Sequence, residues 1–139
     1  MSIQSVLLPV FVQVALTFAL LYWSGYLRVG HTRRGEVKIR DIALRQANWP
    51  EQATQLGNAF QNQLEIPVLF YALVVFALLT RKADLVFVVM SWVFVLSRLV
   101  HAFIHTTSNR VSRRFFAYSV GTVTLLIMWV IFALRILTD

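Results

Sequence analysis

Polar and charged side chains recur at helical spacing inside segments that are otherwise apolar. Gln55, Asn58, Asn62 and Glu65 follow steps of three, four and three, which puts all four on one helix face. Arg98, His101 and His105 follow steps of three and four, and Arg110, Arg114 and Tyr118 recur at four. Together the stripes offer guanidiniums, imidazoles, amides, a phenol and one carboxylate. That inventory suits a small zwitterionic or anionic molecule with more than one carboxylate. An apolar second substrate would arrive from the lipid side.

Each stripe also has a plainer explanation. Glu65 is the only acidic side chain in the apolar blocks, so it is expected to pair with Arg98. Such a pair serves helix packing as readily as a pocket. His101 and His105 have the i, i+4 spacing of a metal pair, but the residues between them are apolar and the chain has no cysteine. No metal is expected there. Arg110 and Arg114 are ordinary flanking charges in one view. In the other, arginines at a helix N-terminus oppose its dipole, and an anionic ligand offsets that cost. Asn109 and Ser112 are expected as turn and cap residues. No serine nucleophile with its own base and no phosphate-cradling glycine loop is visible.

The elements that must carry these stripes follow from composition. Of 139 residues, 58% are hydrophobic and 14% charged. A soluble domain has about 45–50% and about 25%. Four apolar blocks fall at about 3–27, 53–79, 85–105 and 114–137, each near the roughly 20 residues that a spanning helix needs. The expected fold is an all-α membrane protein, one four-helix bundle domain over residues 1–139. Disorder and a water-soluble enzyme are excluded. No Lys or Arg precedes the first block, so a cleavable signal peptide is not expected. The second helix should begin near Glu51, after Trp49-Pro50, and kink where Pro67 leaves the Gln63 carbonyl without its helical partner. Trp23, Tyr26, Trp92 and Trp129 suit interfacial anchors.

Charge sets the topology. Arg28, Arg33, Arg34, Lys38, Arg40 and Arg45 lie between the first two blocks, and Arg110, Arg113 and Arg114 between the last two. The opposite side has Arg81, Lys82 and Arg135. The positive-inside rule puts both termini on the non-cytoplasmic side. The net charge of +7 is then a topology signal, and no nucleic-acid partner is expected. Ile39, Ile42 and Trp49 suggest a short helix lying on the cytoplasmic leaflet.

The run Asn58-Ala-Phe-Gln-Asn62-Gln-Leu-Glu65-Ile-Pro67 resembles the second-helix signature of the MAPEG family, the membrane-associated proteins in eicosanoid and glutathione metabolism. Arg98-Leu-Val-His101, followed by Arg110, Arg114 and Tyr118, is similar to that family's third and fourth helices. Gly25-Tyr-Leu-Arg28 resembles the end of its first. The resemblance implies a homotrimer with glutathione, the co-substrate, bound between neighbouring protomers. It implies that Asn62, Glu65, Arg98, His101, His105, Arg110 and Tyr118 line the glutathione pocket, with Arg28 reaching in from the neighbouring subunit. Arg114 corresponds to the catalytic arginine that stabilises the thiolate. Gln61, His105 and Phe115 depart from the prostaglandin-synthase members, which have Arg, Tyr and Ser there, and argue against that activity.

The function expected is a membrane-embedded glutathione-dependent transferase or peroxidase acting on hydrophobic electrophiles. The alternative is a non-catalytic trimer that binds lipid or a protein partner. A small transporter ranks lowest, because the basic residues cluster at one end. Short loops and the charge bias fit a bacterial inner membrane better than the endoplasmic reticulum. Reporter fusions at Asp139 and within 33–45 are expected to report opposite compartments; a shared compartment would overturn the topology.

Overall fold

The computed structural model describes residues 1–42 and 49–139, so Arg45 lies outside the described residues. Six helices follow in order: α1 (Ile3–Arg33), α2 (Ile39–Ile42), α3 (Glu51–Asn62), α4 (Ile66–Leu79), α5 (Leu85–Thr106) and α6 (Val111–Thr138). No strand occurs among the described residues. Four stretches are long and apolar enough to cross a membrane: α1, the α3–α4 stretch Glu51–Leu79, α5 and α6. At a rise of about 1.5 Å per residue, α1 exceeds the roughly 30 Å hydrocarbon core, so one end stands clear of it. It runs on to Arg33, past the expected end at 27. The short α2 covers Ile39–Ile42, and Trp49 is not part of it.

The ends of the helices are set by local chemistry. Ser2 caps α1 by accepting from the Ser5 amide at 3.2 Å. Asp84 caps α5 by accepting from the Phe87 amide at 3.0 Å and from Arg135 Nη1 at 2.9 Å. Partial burial pushes the Asp84 carboxyl up, but the Phe87 amide and the Arg135 guanidinium outweigh this and hold it below its ordinary value. Lys82 pairs with Asp139 beside it. These two ion pairs clamp the α4–α5 turn to the end of α6. Beyond α1, hydrogen bonds from His31 and then Arg34 hold Glu36 below the usual carboxylate range.

In lipid, apolar side chains gain little from leaving solvent, so close packing and internal polar contacts must join the helices. α5 is the centre: half of its most apolar stretch is buried, against 22%, 33% and 17% for the other three spans. The main core gathers Val6, Phe70, Leu73, Phe94, Val95 and Leu125 among others, with the Phe70 and Phe94 rings 4.9 Å apart. A second cluster joins Leu20, Leu56, Ala59 and Ala102.

At Gly121 the α6 backbone lies close against α5. A Cβ there would run into the Ser97 hydroxyl and come within 3.5 Å of Ser97 Cβ and 3.9 Å of Arg98 Cδ. Glycine lets the α6 backbone lie against the root of Arg98. Gly121→Leu is expected to part the helices and cost about 1–3 kcal/mol by overpacking. Gly121→Ala should cost less, because the Ser97 hydroxyl can turn aside. Thermal unfolding in detergent checks this, and an unshifted midpoint for Gly121→Leu would refute the close approach.

Candidate functional site

The site is built on a broken helix. Pro67 has no N–H, and it lies in the first turn of α4, where that loss is harmless. Ahead of it the chain tightens: Gln63 N donates to Phe60 O at 2.9 Å and Leu64 N to Gln61 O at 3.0 Å. Glu65 then leaves the helical region, with ψ −98°. The kink expected at Pro67 is thus a full interruption between Asn62 and Ile66. It exposes the last carbonyls of α3 to other donors.

Arg98 takes one of them. Its Nη2 donates to the Asn62 carbonyl at 3.2 Å and also to the Asn62 side-chain oxygen. Arg98 is only 2% exposed. The expected Glu65–Arg98 ion pair is therefore corrected: none joins them among the described residues, and Glu65 is exposed. Glu65 leaves the helical ψ region but stays beside Asn62, its backbone N–H donating to the Asn62 carbonyl at 3.4 Å, while its side chain stands exposed instead of meeting the guanidinium. The guanidinium meets neutral oxygens instead. A second buried pair was not anticipated at all. Gln13 Nε2 of α1 donates to Gln63 Oε1 at 2.9 Å, and Gln63 Nε2 donates to Ala59 O at 3.0 Å. Both glutamines are essentially inaccessible, at 0% and 1%. The signal was a lone amide in an apolar helix, which is costly unless partnered.

Above Arg98 three elements surround a cavity of about 430 Å³. Asn58, Gln61 and Asn62 of α3 and Glu65 of the interruption form one side. His101 and His105 form the floor from α5, and Arg114 and Tyr118 face them from α6 with Val111 and Phe115. The two imidazoles are buried, meet edge to face at 5.5 Å, and leave their Nδ1 atoms without a hydrogen bond. His101 also lies 5.8 Å from the Tyr118 ring. Arg114 is half-buried, and its Nη1 donates to Asn109 Oδ1 at 2.6 Å. Gln55, the first residue of its stripe, is spent on structure: its Nε2 donates to His105 O at 2.7 Å and Thr107 O at 3.2 Å.

Of the residues singled out from sequence, Asn62, Glu65, His101, His105, Arg114 and Tyr118 share this cavity. Arg98 supports it from behind. Arg110 does not line it: it is exposed at the N-cap of α6, a cap with no side-chain hydrogen bond, so neither Asn109 nor Ser112 caps that helix as expected. Arg28 lies elsewhere, with its guanidinium 5.0 Å from the Trp49 ring in a groove of about 260 Å³. A Cβ on Gly57 would come 2.8 Å from Arg28 Nη2, so the bare glycine is what admits the guanidinium against α3. Gln61, Val111 and Phe115 complete the wall. Gln61 and Phe115 had been singled out only as departures from a related pattern; their spacing from Asn58 and Arg114 was the available signal. No cluster of three His, Cys, Asp or Glu residues suited to a metal ion occurs among the described residues.

Four helices able to span a membrane, three of them bordering an amide-lined, basic cavity, define an integral membrane protein with a polar cavity in its bundle. The chain belongs to the MAPEG family, whose model matches residues 6–134. Members of that family generally use glutathione and are generally trimeric. Membership is consistent with glutathione-related transferase or isomerase function. No curated protein and no solved structure matches the chain.

The donor set suits such a ligand. Glutathione carries two carboxylates, an ammonium and a thiol, and the cavity offers a guanidinium, amides, imidazoles and an exposed carboxylate within the usual ligand-site volume of about 300–1,000 Å³. The Arg98 contacts predict an asymmetry in stability. Asn62→Leu removes the side-chain acceptor of a buried guanidinium, leaving it only the backbone carbonyl, and should cost about 1.5–3 kcal/mol, the range for hydrogen bonds to charged groups. Glu65→Gln should stay within about 0.5 kcal/mol of wild type. Melting curves in detergent decide; a Glu65→Gln loss as large as that of Asn62→Leu would restore the ion pair.

Proposed function

We propose that this chain is a membrane-embedded glutathione-dependent transferase or peroxidase acting on hydrophobic electrophiles. The observation that carries this reading is the convergence of Asn62, Glu65, His101, His105, Arg114 and Tyr118 on one cavity. They come from three separate elements. In this reading the whole chain forms one integral membrane domain and assembles as a homotrimer. Arg28, stacked on its own Trp49, then reaches glutathione bound by the neighbouring subunit. Both termini are non-cytoplasmic, in a bacterial inner membrane.

Bound glutathione supplies a thiol whose ionised sulfur attacks an electrophilic carbon or the O–O bond of a hydroperoxide. Arg114 holds that sulfur as thiolate, because a fixed cation in a partly desolvated pocket favours the charged form. Asn62 and Glu65 hold the tripeptide's polar groups, Glu65 being the natural partner of its ammonium. His101, His105 and Tyr118 orient the remainder as hydrogen-bonding groups. Arg98 fixes Asn62, and Arg110 lends positive potential from the helix end. Phe115 and Val111, both exposed, give the apolar second substrate a surface beside the sulfur. That same apolar flank is the one observation favouring the rival, a non-catalytic trimer that binds lipid or a protein partner.

Adding glutathione to purified protein near pH 7 is expected to produce the ultraviolet difference band of a thiolate, since an unperturbed thiol titrates near about 8.5. Arg114→Ala should abolish the band and leave binding weakened but measurable. Arg113→Ala, whose side chain is exposed and off the cavity wall, should leave it nearly unchanged. Saturable binding without a band in wild type would favour the non-catalytic protein, and equal loss in both variants would mean bulk charge rather than a placed residue.

A further inference from the structure

Arginine has four rotatable side-chain bonds, and a cation that stabilises a charge at a fixed point must not wander. Arg114 stands in the first turn of α6, half-buried, with no carboxylate within ion-pair distance among the described residues. What restrains it is Asn109. The Asn109 side-chain oxygen accepts from Arg114 Nη1 at 2.6 Å. Asn109 is itself fixed, because its amide N–H donates to Ile104 O of α5 at 2.7 Å. Its φ is 51°, in the left-handed region that Asn tolerates better than most residues. Arg114 is thereby referenced to α5, the helix that carries His101 and His105.

Two features separate this from ordinary turn chemistry. An Asn ahead of a helix usually spends its oxygen on the helix's own amides. Here the N-cap position, Arg110, has no side-chain cap, and the Asn109 oxygen goes to the guanidinium. The acceptor is also neutral. A carboxylate would bind Arg more strongly, but it would cancel the charge that the bound sulfur needs.

We propose that Asn109 is a positioning residue for Arg114, fixing the guanidinium at the cavity wall without neutralising it. The inference rests on Arg114 being the cation that holds the glutathione sulfur as thiolate. Asn109 is not on the cavity wall, so it acts through Arg114 alone. When the thiol ionises, its proton passes to bulk water and Arg114 stays charged throughout.

The test uses the full chain in detergent, with glutathione as the probe, and reads three quantities for each variant: the bound thiol pKa from the thiolate band, the glutathione Kd and the melting midpoint. Asn109→Gly keeps the left-handed backbone and removes the amide. It should melt close to wild type and bind within about threefold, yet lose most of the thiolate band at pH 7. Asn109→Asp keeps the acceptor and adds a charge. It should raise the bound thiol pKa by about one unit or more with binding retained. If Arg114→Ala removes the band while both Asn109 variants keep the wild-type thiol pKa, Asn109 only shapes the turn and the proposal is wrong. If wild type shows no band, the role of Arg114 falls and this inference with it. Should Asn109→Gly fail to fold, Asn109→Asp decides alone, since it changes charge without removing the hydrogen bond.

Discussion

A guanidinium enclosed by apolar helices must be met by oxygen, and most of this site's geometry follows from how Arg98 is met. Its partner is Asn62, through both backbone and side chain. A continuous helix would have spent the Asn62 carbonyl on the amide four residues on. The interruption before Pro67 leaves it only a long 3.4 Å bond from the Glu65 amide and opens it to Arg98 at 3.2 Å. One imino acid thus opens α3–α4, Arg98 ties the opened end to α5, and Gln13 secures the same interruption to α1 through Gln63. Where α6 crosses this junction, Gly121 clears space against Ser97 and Arg98. Three helices are registered against α5 by contacts that none of them makes alone.

The arrangement divides the polar residues by task. Gln55, Arg98, Gln13 and Gln63 spend their hydrogen bonds on protein atoms and hold helices together. Asn58, Glu65, His101, His105 and Arg114 stand on the cavity instead. A buried amide or guanidinium whose hydrogen bonds go to protein atoms serves as scaffolding, whereas the same groups at a cavity wall are available to a ligand. Arg114 has both relations at once: one nitrogen is held by Asn109 while the guanidinium borders the cavity. That combination makes a long, flexible cation a fixed feature of the wall.

The sequence by itself determined the four apolar spans, since no other fold consumes so much apolar surface in so short a chain. It also determined that the helix is disturbed at Pro67, because a missing N–H is a covalent fact; that the kink becomes a full interruption is tertiary, since Pro9 sits inside an unbroken α1. The three stripes fixed which residues share a face, and most of those singled out do meet at one cavity. Periodicity says nothing, however, about how neighbouring helices are rotated or how deep each stands. Arg98 therefore looked like the mate of the only nearby acid, yet Glu65 stands exposed at the interruption and the guanidinium takes the two Asn62 oxygens instead. Arg110 matched Arg114 in spacing but fell at the helix cap, before the face is established. Nor did the pattern show that Arg28 lies over its own Trp49, in space that the bare Gly57 backbone leaves. Gln13 gave no pattern of its own, being a single amide whose partner is fifty positions away. Which oxygen a buried donor finds is decided by distances between helices, and those exist only once the helices have packed.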